Sequence, residues 1–87
     1  MSTRAWYKYN CETGGELTPS NYTYVIALPA ICATDRPDIC AILGVFQEGS
    51  THPASFSPRL NSYITASLSF ASAQPASGKK FVYTRDC

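Results

Sequence analysis

Two cysteines eight positions apart constrain this chain more than any other feature. Cys32 and Cys40 bracket a short polar loop, and Cys40 leads straight into the most apolar stretch, Ala41-Ile42-Leu43-Gly44-Val45-Phe46. The loop carries Asp35, Arg36, Pro37 and Asp38, all charged or turn-compatible. The run 39–46 has the length of a strand and is far too short to span a membrane. The pattern reads as a disulfide-closed loop feeding a buried central strand.

Two further cysteines, Cys11 and Cys87, complete an even set of four in a chain of 87 residues. A chain of this length makes one domain with a thin core. Four cysteines in such a domain favour a disulfide framework and an oxidising compartment. Three pairings are possible, and Cys32 with Cys40 plus Cys11 with Cys87 is the preferred one. The chain-entropy relation assigns roughly 2.6 kcal/mol to the small loop and about 4.5 kcal/mol to the large one. Four thiols in a cytosolic protein are the alternative.

Hydrophobic residues make up 45% of the chain, enough for a globular core. Charged residues make up 15%, below the usual ~25%, and Ser, Thr, Asn and Tyr fill the difference. An uncharged polar surface of this kind is common outside the cell. The net charge is +1, with no basic run beyond Lys79-Lys80, which argues against nucleic acid and against electrostatic membrane binding. Met1-Ser2-Thr3-Arg4 is not followed by the apolar region of a signal peptide, so an exported protein with this sequence is expected to be either a mature form or one carrying a replacement Met. Asn21-Tyr22-Thr23 fits the N-glycosylation sequon, a short motif that arises often by chance.

Alternation predicts a first strand over 3–10, with Ala5, Tyr7 and Tyr9 on one face and Arg4, Trp6 and Lys8 on the other. Gly14-Gly15 marks a turn over 12–16. Residues 22–28 are β-branched and aromatic and stop at Pro29, which predicts a second strand. A third strand follows over 39–47. Ser57-Pro58 has the form of an N-cap followed by proline at the first helical position. Leu60, Tyr63, Ile64, Ser67, Leu68 and Ala71 then share one helical face, with Phe70 at its edge. Ile64, Ala66, Leu68 and Phe70 also alternate as a strand would, but the cap, the length and the stop at Gln74-Pro75 favour helix. A turn at 76–78 precedes a last strand over 79–86. The expected fold is α+β: a small antiparallel sheet of about four strands with one helix, stapled by disulfides.

No catalytic constellation stands out. The sole histidine, His52, precedes Pro53 and reads as an exposed loop residue. The cysteine spacings lack the close pairs of a zinc site, and no glycine-rich phosphate loop is present. Asp35 and Asp38 flanking Arg36 read as a solvated loop rather than a catalytic carboxylate pair. No cofactor or metal is expected. The aromatic residues are the better lead, because rings with one polar end suit binding surfaces as well as thin cores. Trp6 shares its strand face with Arg4 and Lys8, so it is the ring expected to be exposed.

Several stretches together resemble small exported proteins of unknown function from Bacteroidota. These are Trp6-Tyr7-Lys8-Tyr9, Pro19-Ser20-Asn21-Tyr22-Thr23, Cys32 with Ile39-Cys40-Ala41-Ile42, His52-Pro53, and the helix-like Leu60 to Leu68. The resemblance covers nearly the whole chain. It implies export and disulfides, but no activity and no catalytic residues, and Cys11 and Cys87 lie outside the shared pattern. The expected role is a secreted structural or protein-interaction module, with a protein partner or self-association. The candidate binding residues are Trp6, Tyr7, Tyr9, Asp35, Arg36 and Asp38. One expected route to assembly is strand pairing through the first strand, which nothing in the sequence covers. A glycan binder built on Trp6 and its neighbouring tyrosines is one alternative. A secreted effector, such as a peptidase inhibitor or toxin using the loop 33–38, is another.

Overall fold

A computed structural model of the chain describes residues 4–12, 14–53, 55–75 and 78–86. Four strands form one antiparallel sheet: β1 (Arg4–Tyr9), β2 (Tyr22–Val25), β3 (Asp38–Val45) and β4 (Val82–Arg85). Their order across the sheet is β2-β1-β3-β4, and among the described residues one α-helix, α1 (Pro58–Phe70), precedes β4. This is the expected α+β fold.

Alternation along β1 sorts the aromatic residues as expected. The register lines up Tyr24, Tyr7, Ile42 and Val82 in one row across the sheet. Tyr7, Tyr9, Tyr22, Ile39, Ile42 and Val82 join Leu60 and Ile64 of α1 in a single buried core. Trp6 lies on the opposite face, in a row with Val25 and Leu43.

The two isoleucines of β3 stand three positions apart yet share the core. Strict alternation would send them to opposite faces. A register shift between Ile39 and Ala41 reconciles them, because two steps along β3 match one step from Thr84 to Tyr83 on β4. The extra residue is Cys40, and the bulge returns Ile42 to the helix side.

The α1 helix begins as its sequence indicates. Ser57 is the N-cap, its hydroxyl oxygen accepts the Leu60 N–H at 3.1 Å, and Pro58 follows. Leu60, Ile64 and Ser67 form the buried stripe, and Tyr63 packs edge-on against Phe81. The stripe is narrower than expected: Leu68 is exposed, and Phe70 is 73% exposed. The helix ends at Ala71 in a left-handed conformation (φ 50°), before the expected stop at Gln74-Pro75.

Three strand limits differ from expectation by two residues or more. β2 stops at Val25, since Ile26 has left the sheet and is 91% exposed. β3 ends at Val45, and β4 starts only at Val82. The turn expected at 76–78 lies outside the described residues at 76 and 77, as does Thr3 at the start of the first strand.

Both outer edges of the sheet are covered. On β2, the Tyr24 N–H donates to the Thr51 carbonyl at 2.7 Å, and His52 Nδ1 lies 2.7 Å from the Tyr22 carbonyl oxygen. On β4, Thr84 exchanges backbone hydrogen bonds with Ala33, and Val82 does so with Gln74. Pairing with another chain through the first strand is therefore corrected. β1 is internal, with β2 on one side and β3 on the other.

Candidate functional site

The connection from β2 to β3 contains the loop 33–38, one of the candidates the sequence offered, and the sheet topology adds a structural reason to look at it. β2 and β3 both run antiparallel to β1, which lies between them, so they run parallel to each other. A tight hairpin cannot join them. The chain uses the twelve residues 26–37, which contain no helix or strand. Irregular loops of that length are uncommon in compact domains and are often functional.

The path of this connection follows from what surrounds it. It leaves the β2 edge at Val25 and meets the far edge of the sheet where Ala33 pairs with Thr84. The Tyr7 side is already filled by α1 and by residues 46–56, through Phe46 against Tyr24 and Phe56 against Tyr22. Between those two edges it spans β1 and β3. Leu28 and Pro29 are half-buried, while Ile26, Ala27, Ala30 and Ile31 are exposed.

Its far end is clasped in four ways. Cys32 is disulfide-bonded to Cys40, the bulge residue, with the two Cα atoms 5.5 Å apart. Ala33 is bridged to Thr84 through both backbone groups. The buried hydroxyl of Thr84 accepts the Arg36 N–H at 3.0 Å and donates to the Ala33 carbonyl oxygen at 3.2 Å. The Ala73 N–H also donates to the Thr34 carbonyl oxygen at 2.8 Å. Thr34, Asp35, Arg36 and Pro37 remain exposed at the tip. Arg36 Nε lies 3.8 Å from carboxylate oxygens of both Asp35 and Asp86. These pairs are open to water, so they orient the guanidinium and add little stability.

The structure separates the other candidate binding residues. Tyr7 and Tyr9 are buried in the core, which corrects their place in a stacking platform: alternation turns both toward α1. Trp6 is half-buried rather than fully exposed. Its ring meets Tyr83 edge-on, with centroids 5.6 Å apart. Asp38 is half-buried at the start of β3, opposite Arg85. The expected Cys11–Cys87 pair involves residue 87, outside the described residues. Asn21 directs its Nδ2, the atom a glycan would need, into a 3.0 Å hydrogen bond with the Gly15 carbonyl oxygen. A Cβ at Gly15 would collide with that nitrogen, so a larger residue there would push the Asn21 side chain out of this hydrogen bond.

Sequence reasoning missed Thr84 and Ile31. Thr84 reads as an ordinary strand residue until its pairing with the loop is seen. Ile31 sits beside Cys32 and is 54% exposed, a placement that apolarity alone would not suggest. Among the described residues, no three His, Cys, Asp or Glu side chains come together as metal ligands. No described helix is long and apolar enough to cross a membrane. No family model, curated protein or solved structure matches the chain.

Proposed function

We propose that this chain is an exported, disulfide-stapled protein-interaction module that works by binding rather than catalysis. The observation that carries the reading is the clasped connection. A disulfide, a β-bridge and a buried hydroxyl hold one end of a long loop whose tip side chains face solvent. Ordering a loop in advance lowers the entropy cost of binding. Ile26 and Ile31 add outward apolar surface to the same connection, and exposed apolar patches commonly mark interaction sites. Export is supported by the Cys32–Cys40 bond, since such bonds persist in oxidising compartments. His52, the one imidazole available for acid–base chemistry, instead braces the edge of β2.

Two features weigh against a trypsin-type inhibitor using Arg36. Its backbone N–H is engaged by Thr84, and Pro37 follows it. The glycan alternative loses Tyr7 and Tyr9 to the core.

The test is a binding screen of the oxidised protein against exported proteins of its source, read by biolayer interferometry. A true partner should lose at least tenfold in affinity to I31D and to R36A, with circular dichroism and melting temperature unchanged. A partner bound equally well by both variants would remove the connection as the interface. A strictly monomeric protein with no partner in the screen would count against the module reading itself.

A further inference from the structure

A second site lies at the end of the sheet where β1 begins, apart from the clasped connection. Arg4, Ser55, Ser57, Arg59, Leu60 and Phe81 are among the residues around a cleft of about 70 Å³. Among the described residues, two arginines line it and no acidic residue does. Among the described residues, neither guanidinium has a carboxylate partner. Arg4 is positioned by the ring of Phe81, with its guanidinium carbon 5.0 Å from the ring centroid. Such a contact fixes the charge while leaving N–H donors for an anion. Arg59 projects from the first turn of α1. The Ser57 oxygen accepts the Leu60 N–H, so its own O–H proton is left to donate. Leu60 is buried, and Phe81 is half-buried against the core, so the wall between the donors is apolar.

The cleft thus offers cations and hydroxyl donors beside apolar surface. Two like charges on one small cleft repel, and a bound anion would relieve that. Guanidinium groups match planar carboxylates particularly well, because paired N–H bonds can meet both oxygens. The volume is far below the ~300–1,000 Å³ of sites for drug-sized ligands. It suits one carboxylate and one apolar group. We infer that this cleft binds a small apolar carboxylate, the chemistry shared by a hydrophobic organic acid and by a peptide C-terminus ending in an apolar residue.

The test is a ¹H–¹⁵N NMR titration of the oxidised protein. The probes are N-acetyl-L-phenylalanine, 3-phenylpropionate, N-acetyl-L-phenylalanine amide and inorganic phosphate. Both carboxylates should shift the amides of Gly44, Arg59, Leu60 and Phe81 saturably. Tighter binding of the N-acetylated acid assigns the site to peptide C-termini, and equal binding assigns it to simple acids. The R4Q/R59Q double variant should weaken both at least tenfold, with the rest of its spectrum unchanged. Equal shifts by the neutral amide, or by phosphate, would overturn the assignment on the unaltered protein, whatever the variant does. So would the absence of a saturable shift.

Discussion

Replacing Thr84 by valine tests whether the clasp is what orders the loop tip. Thr84 is fully buried, and valine has nearly its shape, so the change removes a hydroxyl without opening a cavity. Two hydrogen bonds disappear: the one from the Arg36 N–H (3.0 Å) and the one to the Ala33 carbonyl oxygen (3.2 Å). A neutral hydrogen bond contributes about 0.5–1.5 kcal/mol net. Arg36 is exposed, so its N–H can turn to water and the full desolvation penalty does not apply. The expected loss is therefore about 1–2 kcal/mol. In a domain of this size, each kcal/mol corresponds to about 4–8 °C in melting temperature. Urea unfolding should show a lower midpoint with an unchanged slope, because little extra surface is exposed. Hydrogen exchange supplies the local reading: the Arg36 amide should exchange about tenfold faster or more. T84S keeps the hydroxyl and should retain most of that protection. The reasoning fails if T84V matches the parent in stability and the Arg36 amide stays equally protected.

Three further outcomes follow from the core. Ile64→Ala removes a fully buried side chain from the centre of α1 and should cost about 2–5 kcal/mol in urea unfolding, the range for buried aliphatic truncations; a loss under half a kcal/mol would mean that α1 does not pack as described. Ser67→Ala should raise stability by about 1 kcal/mol, since the buried Ser67 Oγ has no hydrogen-bond partner among the described residues and alanine favours helix; a destabilised variant would reveal a partner for that oxygen. Burial, then Tyr9 and Glu16, holds the Tyr22 phenol well above its usual value of 10.0, and burial followed by Glu16 shifts Tyr9 the same way. The folded state thus favours the neutral phenols. Their contribution is complete below about pH 10, where unfolded tyrosines are still protonated, and is lost as pH rises beyond it. Absorbance at 295 nm and circular dichroism, followed together in alkaline solution, should show Tyr9 and Tyr22 ionising only with unfolding. Ionisation of all six tyrosines near pH 10 with the fold intact would refute this.

Much of the fold was legible because its signals are local. Ser57-Pro58 announces α1, since capping and a proline-tolerant first turn depend only on neighbouring residues. The spacing of Cys32 and Cys40 permits their bond whatever the sheet does. Alternation in β1 sends Tyr7 and Tyr9 one way and Trp6 the other, though it does not say which side becomes the core. The candidate loop was legible from its charges and proline. Its clasp was not, because Thr84 lies 48 positions from Arg36.

What the sequence alone determined, then, are features set by short-range chemistry: the helix start, the alternation of β1, a cysteine spacing that permits the small loop, and the general α+β class. Tertiary structure decided the rest. Which strand edges meet depends on partners far apart in the chain, so only the folded sheet shows β1 to be internal. The bulge at Cys40 exists because β3 must match β4 while keeping Ile39 and Ile42 in one core. The crossing of residues 26–37 follows from β2 and β3 lying on either side of β1. The meeting of Arg4, Arg59 and Phe81 at one cleft joins residues that share no local pattern. Each of these is a long-range consequence of burying one face of a thin sheet, and no stretch of sequence carries it alone.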